Sequence, residues 1–352
     1  MKTNTVITIV GSGQMGSAMS FPACDRGHEV RLVGTPLDRD IIDEASKTGM
    51  HKILKRRMPD GIRYFQIEEL DRALAGADLL IGGVSSFGVD WFIEKVLPSV
   101  PETLPVLSIT KGMMDTPEGE LVPYPWLYRS RLGKKNLSFN AVGGPCNAYK
   151  LADRDHTVIC FCGDDIALLR QLKSWMETSY YHISLSTDVM GVECAVALKN
   201  AYASGVSLAI GLSKKMEGVE ESYQNSQAAL FGQSVKEMQR ILALCGSSDE
   251  NIALGAGDLY VTIFGGRTRL IGTLLGRGYS FEEAMEELKG VTLESVVIAR
   301  RAAAAIKQRI NRNTAKAEDF PLLLHIDEII SNGVPVNIPW KKFETETVKI
   351  TN

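Results

Sequence analysis

The sequence predicts a chain in two parts: an α/β half built on a doubly wound, mostly parallel sheet over residues 1–187, and an all-α half over residues 188–352. Three observations carry this reading. Strand-like apolar runs alternate with helical segments up to about residue 186, and a glycine turn, Gly11-Ser12-Gly13-Gln14-Met15-Gly16, follows the first run at once. Beyond STDVMG (186–191) the strand signals fade, and long segments with an apolar period of three to four residues take over. A length of 352 residues fits two domains better than one small core.

In chain order, TVITIV (5–10) reads as a buried strand, SAMSFPACDRG (17–27) as a helix and EVRLV (29–33) as a second strand. Strand, G-x-G-x-x-G, helix and strand in close succession is the pattern in which glycines permit a tight turn and close backbone approach to a pyrophosphate. The helix N-terminus then offers its N–H groups and dipole to the phosphates. Gly11, Ser12, Gly13, Gln14, Met15 and Gly16 are therefore candidate dinucleotide-binding residues on a Rossmann-like sheet, the other reading being a glycine turn without a ligand. At the end of the second strand the chain runs Gly34-Thr35-Pro36-Leu37-Asp38-Arg39, without the carboxylate expected there for the ribose 2′-OH of NAD. Thr35 and Arg39 suit a 2′-phosphate, which favours NADP over NAD, although Asp38 is within reach of a ribose hydroxyl.

Further strands are expected at 62–66, 78–84, 105–110, 137–142, 156–162 and 180–186, with a helix over 67–77. In such sheets ligands bind outside the carboxyl ends of the strands, where two segments fall. Lys111, after PVLSIT, is a candidate for substrate or cofactor contact or else a solvated loop lysine. Phe87, after DLLIGGV, either lines the nicotinamide pocket or packs in the core.

In the second half, helices are expected in segments beginning at Val192, Ser226, Phe281, Leu293 and Pro321, with Gly246, Gly290 and Gly333 as C-terminal stops. Between Cys194 and Ser213, Lys199 is the only charge. An ammonium in such surroundings is costly without a partner, and a desolvated lysine exchanges its proton near neutral pH, so Lys199 is a candidate acid/base group. A lysine reaching off one helix face is the plain alternative. The segment GAGDLYVTIFGGRTRLIGTLLG (255–276) is also chemically dense. Asp258 in its apolar opening needs a cation or hydroxyl, for which Lys199 is the natural partner. Arg267, after Gly265-Gly266 and beside Thr268, suits bidentate capture of a phosphate monoester. From the residues alone, Asp258 as a buried anchor and Arg267 as a surface residue stay open.

Composition limits the function classes. The chain is 45% hydrophobic and 23% charged with a net charge of -3, which leaves no basic footprint for nucleic acid or an anionic membrane. Six cysteines without a CxxC pair or a histidine spacing point to reduced thiols in a cytoplasmic protein and to no metal site. The N-terminal apolar run is too short for a signal peptide. No membrane span is expected, because Asn200 and several serines and glycines interrupt the stretch around Lys199.

Taken in order, GSGQMG (11–16), SITKG (108–112), GGPCNA (143–148), GVECAVALKN (191–200), NSQAAL (225–230) and GAGDLYVTIFGGRTR (255–269) resemble the NAD(P)-dependent glycerol-3-phosphate dehydrogenase family. The resemblance runs from about residue 5 to 335, and ALKN and GDLYVT are its most specific blocks. It implies a Rossmann domain followed by an α-helical substrate domain, and reversible reduction of dihydroxyacetone phosphate to sn-glycerol 3-phosphate with NADP or NAD. A small phosphorylated three-carbon substrate is thus the expected partner, and a homodimer the expected assembly. Position by position, Lys199 matches the catalytic acid/base, Asn200 its neighbour in the pocket and Lys111 the second active-site lysine. Asp258 and Thr262 match residues around the catalytic lysine and substrate, and Arg267 the phosphate-binding arginine, placed for cofactor contact as well, with Thr268 beside it. Ala148 and Glu294 fall at cofactor-contacting positions. The chain departs from the family at Cys146-Asn147, in GPCNA where many members read GPSFA, and at Thr268, where they have asparagine. Both departures bear on substrate identity. A same-fold dehydrogenase for another phosphorylated polyol or hydroxy acid, and a non-catalytic NAD(P)-binding sensor or scaffold, are the competing readings.

Overall fold

The computed structural model describes residues 5–133, 136–217, 224–265 and 267–345. The chain divides into two compact units, Met1–Gly112 with Val122–Val196, and Met113–Leu121 with Ala197–Asn352.

The first unit is a sheet covered by helices. Its strands are β1 (Val6–Val10), β2 (Glu29–Val33), β3 (Arg63–Phe65), β4 (Leu79–Gly82) and β5 (Val106–Ser108). A short hairpin follows, β6 (Met113–Asp115) and β7 (Leu121–Pro123), and then β8 (Phe139–Gly143), β9 (Thr157–Cys162) and β10 (Tyr181–Ser186). The eight-stranded sheet has the order β10-β9-β8-β5-β4-β1-β2-β3, parallel throughout except between β8 and β9. Seven of its eight strands fall within the segments whose apolar runs predict strands, and β8 runs one residue past its segment, because a sheet buried on both faces needs continuous Val, Ile and Leu. The strand order reverses between β1 and β4, which makes the carboxyl end of β1 the topological switch point. Register aligns that edge: Val10 pairs with Val33 and Gly82, Gly82 with Ser108, and Ser108 with Ala141.

The main helices of this unit are α1 (Gln14–Ala18), α2 (Ser20–Asp25), α3 (Arg39–Thr48), α4 (Leu70–Leu74), α5 (Tyr124–Leu132), α6 (Ala148–Ala152) and α7 (Ile166–Met176). The segment expected as one helix over 17–27 is broken at Met19. Pro22, lacking an N–H, then sits in the first turn of α2, where no intrahelical donor is required. Behind β5 an aromatic group of Phe92, Tyr124, Tyr128 and Phe139, with ring centroids 5.6 to 6.2 Å apart, fills the core.

The second unit is built from α8 (Val189–Glu217), which begins in the first unit and continues into this one, α9 (Gln224–Leu244), α10 (Ile252–Ile263), α11 (Arg267–Arg277), α12 (Phe281–Glu287), α13 (Glu294–Asn311) and α14 (Pro321–Asn332). Gly246, Gly290 and Gly333 all take positive φ after their helices, as expected of stops. Although α8 is long and apolar enough to cross a membrane, it is buried within the protein. Small residues let α8 and α11 touch backbone to backbone: a Cβ on Gly272 would lie 2.2 Å from the Ser204 carbonyl oxygen. The Glu237 carboxylate on α9 accepts the Leu322 and Leu323 N–H groups (2.8 and 2.9 Å) and so caps α14. The 113–121 hairpin joins this unit because Arg301 and Arg309 on α13 donate to the carbonyls of Met113 and Gly119 (2.8 and 3.0 Å). The sequence reading did not anticipate this hairpin, whose strands of three residues each are too short for periodicity to register.

Candidate active site

In the first unit the glycine turn follows β1. Gly11 donates its N–H to the Val33 carbonyl (2.9 Å) at φ +106°, and a Cβ there would lie 2.6 Å from the Gly83 oxygen. A Cβ on Gly16 would lie 1.9 Å from the Gly11 oxygen, so the first and third glycines are sterically required. Gly13 has nothing within 4 Å of its Cβ position, and it precedes α1 without a side-chain cap. That open cradle at the switch point fits a pyrophosphate held by backbone amides. The Gln14 side chain donates to the Tyr149 hydroxyl (2.5 Å), tying the turn to α6, while Met15 packs against the core below.

His51 holds the turn from the other side, and no sequence signal marked it. Its Nδ1 accepts the N–H groups of Ile53 and Leu54 (3.2 and 2.9 Å), which leaves Nε2 as the protonated nitrogen, donating to the Ser12 carbonyl (2.9 Å). Burial lowers its pKa, so the imidazole stays neutral in this role.

At the end of β2 the Asp38 carboxylate turns back to accept the Ser12 N–H (3.2 Å), the Thr35 N–H (3.0 Å) and the Thr35 hydroxyl (2.8 Å). Arg39 is ion-paired with Glu68 on the surface. The corner beside the turn thus already gathers donors around one carboxylate.

Lys111 follows β5 and donates from Nζ to the Gly144 carbonyl (2.7 Å). Its loop lies close on an aromatic ring: Gly112 adopts φ +152°, and a Cβ there would come within 2.7 Å of the Tyr124 ring. Phe87 is 59% exposed, so of its two readings core packing is ruled out. Ala148 is half-buried at the first position of α6, and Asn147, one of the departures from the family pattern, caps that helix by accepting the Tyr149 and Lys150 N–H groups (3.0 and 3.3 Å). The asparagine at that position therefore has a structural use.

In the second unit Lys199 on α8 donates from Nζ to Asp258 Oδ1 (2.9 Å) and to the Thr262 hydroxyl (3.0 Å), both on α10. Asp258 and Thr262 are four residues apart and so share one helix face. Thr262 in turn donates its proton to the Asp258 carbonyl (2.7 Å), which leaves its oxygen lone pairs for the lysine. The two charged side chains are 13% and 2% exposed, so the ammonium is desolvated and compensated rather than snorkelling into water. Asn200 and Thr268 are buried. Arg267 is exposed at the first position of α11, and Glu294 is half-buried in the first turn of α13. Gly266, part of the expected glycine turn before Arg267, lies outside the described residues.

One further group in the first unit escaped sequence reasoning. Glu193, on the first turns of α8, is fully buried, and neither carboxylate oxygen has a hydrogen-bond partner. Burial pushes its pKa up to about 8, against the smaller opposing influence of Lys111. A glutamate set within the apolar run GVECAVAL was the signal available.

Residues 6–168 match the family model for the NAD-dependent glycerol-3-phosphate dehydrogenase N-terminus, and residues 188–340 that for its C-terminus. The chain is 32% identical over 326 residues to an NADP(+)-dependent glycerol-3-phosphate dehydrogenase of Archaeoglobus fulgidus, covering 91% of this chain and 95% of the relative. It is 27% identical to a glycerol-3-phosphate dehydrogenase [NAD(P)+] of Desulfotalea psychrophila, covering 80% and 82%. The crystal structure of glycerol-3-phosphate dehydrogenase from Coxiella burnetii superposes with a TM-score of 0.79 at 20% identity, over 97% of this chain and 98% of that one.

Proposed function

Because the chain belongs to the NAD(P)-dependent glycerol-3-phosphate dehydrogenase family, we infer that it reversibly reduces dihydroxyacetone phosphate to sn-glycerol 3-phosphate. The observation that carries the chemistry is the hydrogen-bonded Lys199–Asp258–Thr262 set, built on the buried Asp258. When bound, the nicotinamide cofactor supplies or takes up the hydride. Lys199, as ammonium, gives its proton to the substrate carbonyl oxygen in reduction and takes it back in oxidation. Asp258 and Thr262 fix the direction of the Nζ–H bonds, which keeps the lysine's many rotamers from diluting the reactive one. Arg267 and Thr268 hold the substrate phosphate, Asn200 neighbours the acid/base lysine, Lys111 serves as the second active-site lysine, and Glu294 contacts the cofactor.

The glycine turn, with Phe87 and Ala148, holds the dinucleotide. We favour NADP, since Thr35 and Arg39 stand at the end of β2 and the Archaeoglobus fulgidus relative is NADP(+)-dependent; the Asp38 carboxylate, which accepts from Ser12 and Thr35, has to turn aside for a 2′-phosphate. The protein is further proposed to act as a cytoplasmic homodimer.

The test is an absorbance assay with dihydroxyacetone phosphate and NADH or NADPH in parallel, beside unphosphorylated dihydroxyacetone. Lys199→Ala should lower turnover by roughly 100- to 10,000-fold with cofactor binding intact, and Arg267→Ala should chiefly raise KM. Near-normal turnover in the first, or an unmoved KM in the second, removes the role assigned.

A further inference from the structure

Glu193 is the least explained polar group in the first unit. It is fully buried, and both of its oxygens lack a donor, where native proteins almost always pair such atoms. The packing that puts it there is close: a Cβ on Gly143, at the end of β8, would lie 2.4 Å from Val192 Cγ1 and 3.3 Å from Val196 Cγ1, so only glycine lets this end of α8 settle onto the strand. The groups that act on Glu193, or that it acts on, are Lys111 after β5, Tyr128 on α5 and Cys162 on β9, and Asp188, just ahead of α8, also acts on Cys162. Lys111 is the cation among them, and its Nζ is already directed onto the Gly144 carbonyl next to Gly143.

We propose that Glu193 is a positioning residue that acts on the reaction through Lys111, as a buried acid whose ionisation is linked to where the Lys111 ammonium points. This rests on the dehydrogenase reading of the site. With Glu193 neutral, the ammonium keeps its bond to the Gly144 carbonyl. Once the carboxyl loses its proton to solvent, the buried carboxylate attracts Lys111, the cation that acts on it, and draws the ammonium inward. The switch falls near pH 8, where burial holds the Glu193 carboxyl. Burial raises Tyr128 and Cys162 further still, so both stay neutral through that range and cannot account for the same transition.

Two measurements on the full chain test this. The first is the pH dependence of kcat/KM in wild type and Glu193→Gln. Wild type should fall along a limb centred near pH 8, reaching roughly tenfold by pH 9, and the glutamine variant, which mimics the neutral acid, should lack that limb. The second is independent of turnover: infrared difference spectra follow the protonated-carboxyl band assigned by its loss in Glu193→Gln. Its titration midpoint should move upward in Lys111→Met, because the cation that favours the carboxylate is gone. Superposable pH profiles, or a band midpoint unmoved by Lys111→Met, would overturn the proposal. Failure of wild type to turn over dihydroxyacetone phosphate at any pH would instead sink the dehydrogenase reading, while the infrared midpoint would still report on the Glu193–Lys111 linkage.

Discussion

Replacing Asp258 by asparagine tests what compensates the buried lysine. Lys199 Nζ and Asp258 Oδ1 are 2.9 Å apart, with side chains 13% and 2% exposed. At an effective dielectric constant near 20 their attraction is about 6 kcal/mol, most of it offset by desolvation. The pair is therefore worth little against two neutral groups, whereas an ammonium stripped of its counter-charge by Asp258→Asn costs about 3 to 5 kcal/mol. Thr262 still accepts one hydrogen bond, which places the single variant near the lower end of that range. Lys199→Met strands the carboxylate at similar cost. The double variant, having no charge to strand, should be far more stable than the sum of the two losses, with a coupling energy of at least about 2 kcal/mol. Urea unfolding of the four proteins at one fixed concentration measures this, and a coupling within about 0.5 kcal/mol of zero would refute the claim that the pair is electrostatically interdependent. Turnover in the same four proteins separates stability from chemistry, because the double variant regains its fold but not its acid/base group.

Two further outcomes are expected. Glu193 has its pKa raised from 4.5 to about 8 in the folded chain, so the unfolded chain ionises first and the native state loses stability as pH rises between those values, by about 1.4 kcal/mol per pH unit or roughly 3 kcal/mol by pH 7. Urea midpoints across pH 5 to 8 should therefore decline less steeply in Glu193→Gln than in wild type, and parallel slopes would contradict a neutral buried acid. His51→Leu removes three hydrogen bonds, including the one that anchors Ser12 in the glycine turn, and should weaken NAD(P)H binding by roughly tenfold, read by fluorescence titration. An unchanged Kd would show that the turn holds its shape without the imidazole.

What the residues decided alone was the succession of elements and the chemistry of the densest segments. Short Val, Ile and Leu runs with glycine turns mark a two-sided buried sheet because a helix buried all round, like α8, runs longer, and a lone Lys199 in an apolar helix demands a counter-charge wherever the chain runs. Asp258 was legible as that partner for the same reason, since each group is untenable without the other. The three-residue strands β6 and β7 could not be read, because their docking depends on Arg301 and Arg309 almost two hundred residues away. His51 and Glu193 were invisible for a related cause. An imidazole beneath a glycine turn, or a carboxyl sealed against a strand end through Gly143, takes its meaning from neighbours distant in sequence, and burial and hydrogen bonding are properties of the packed chain alone.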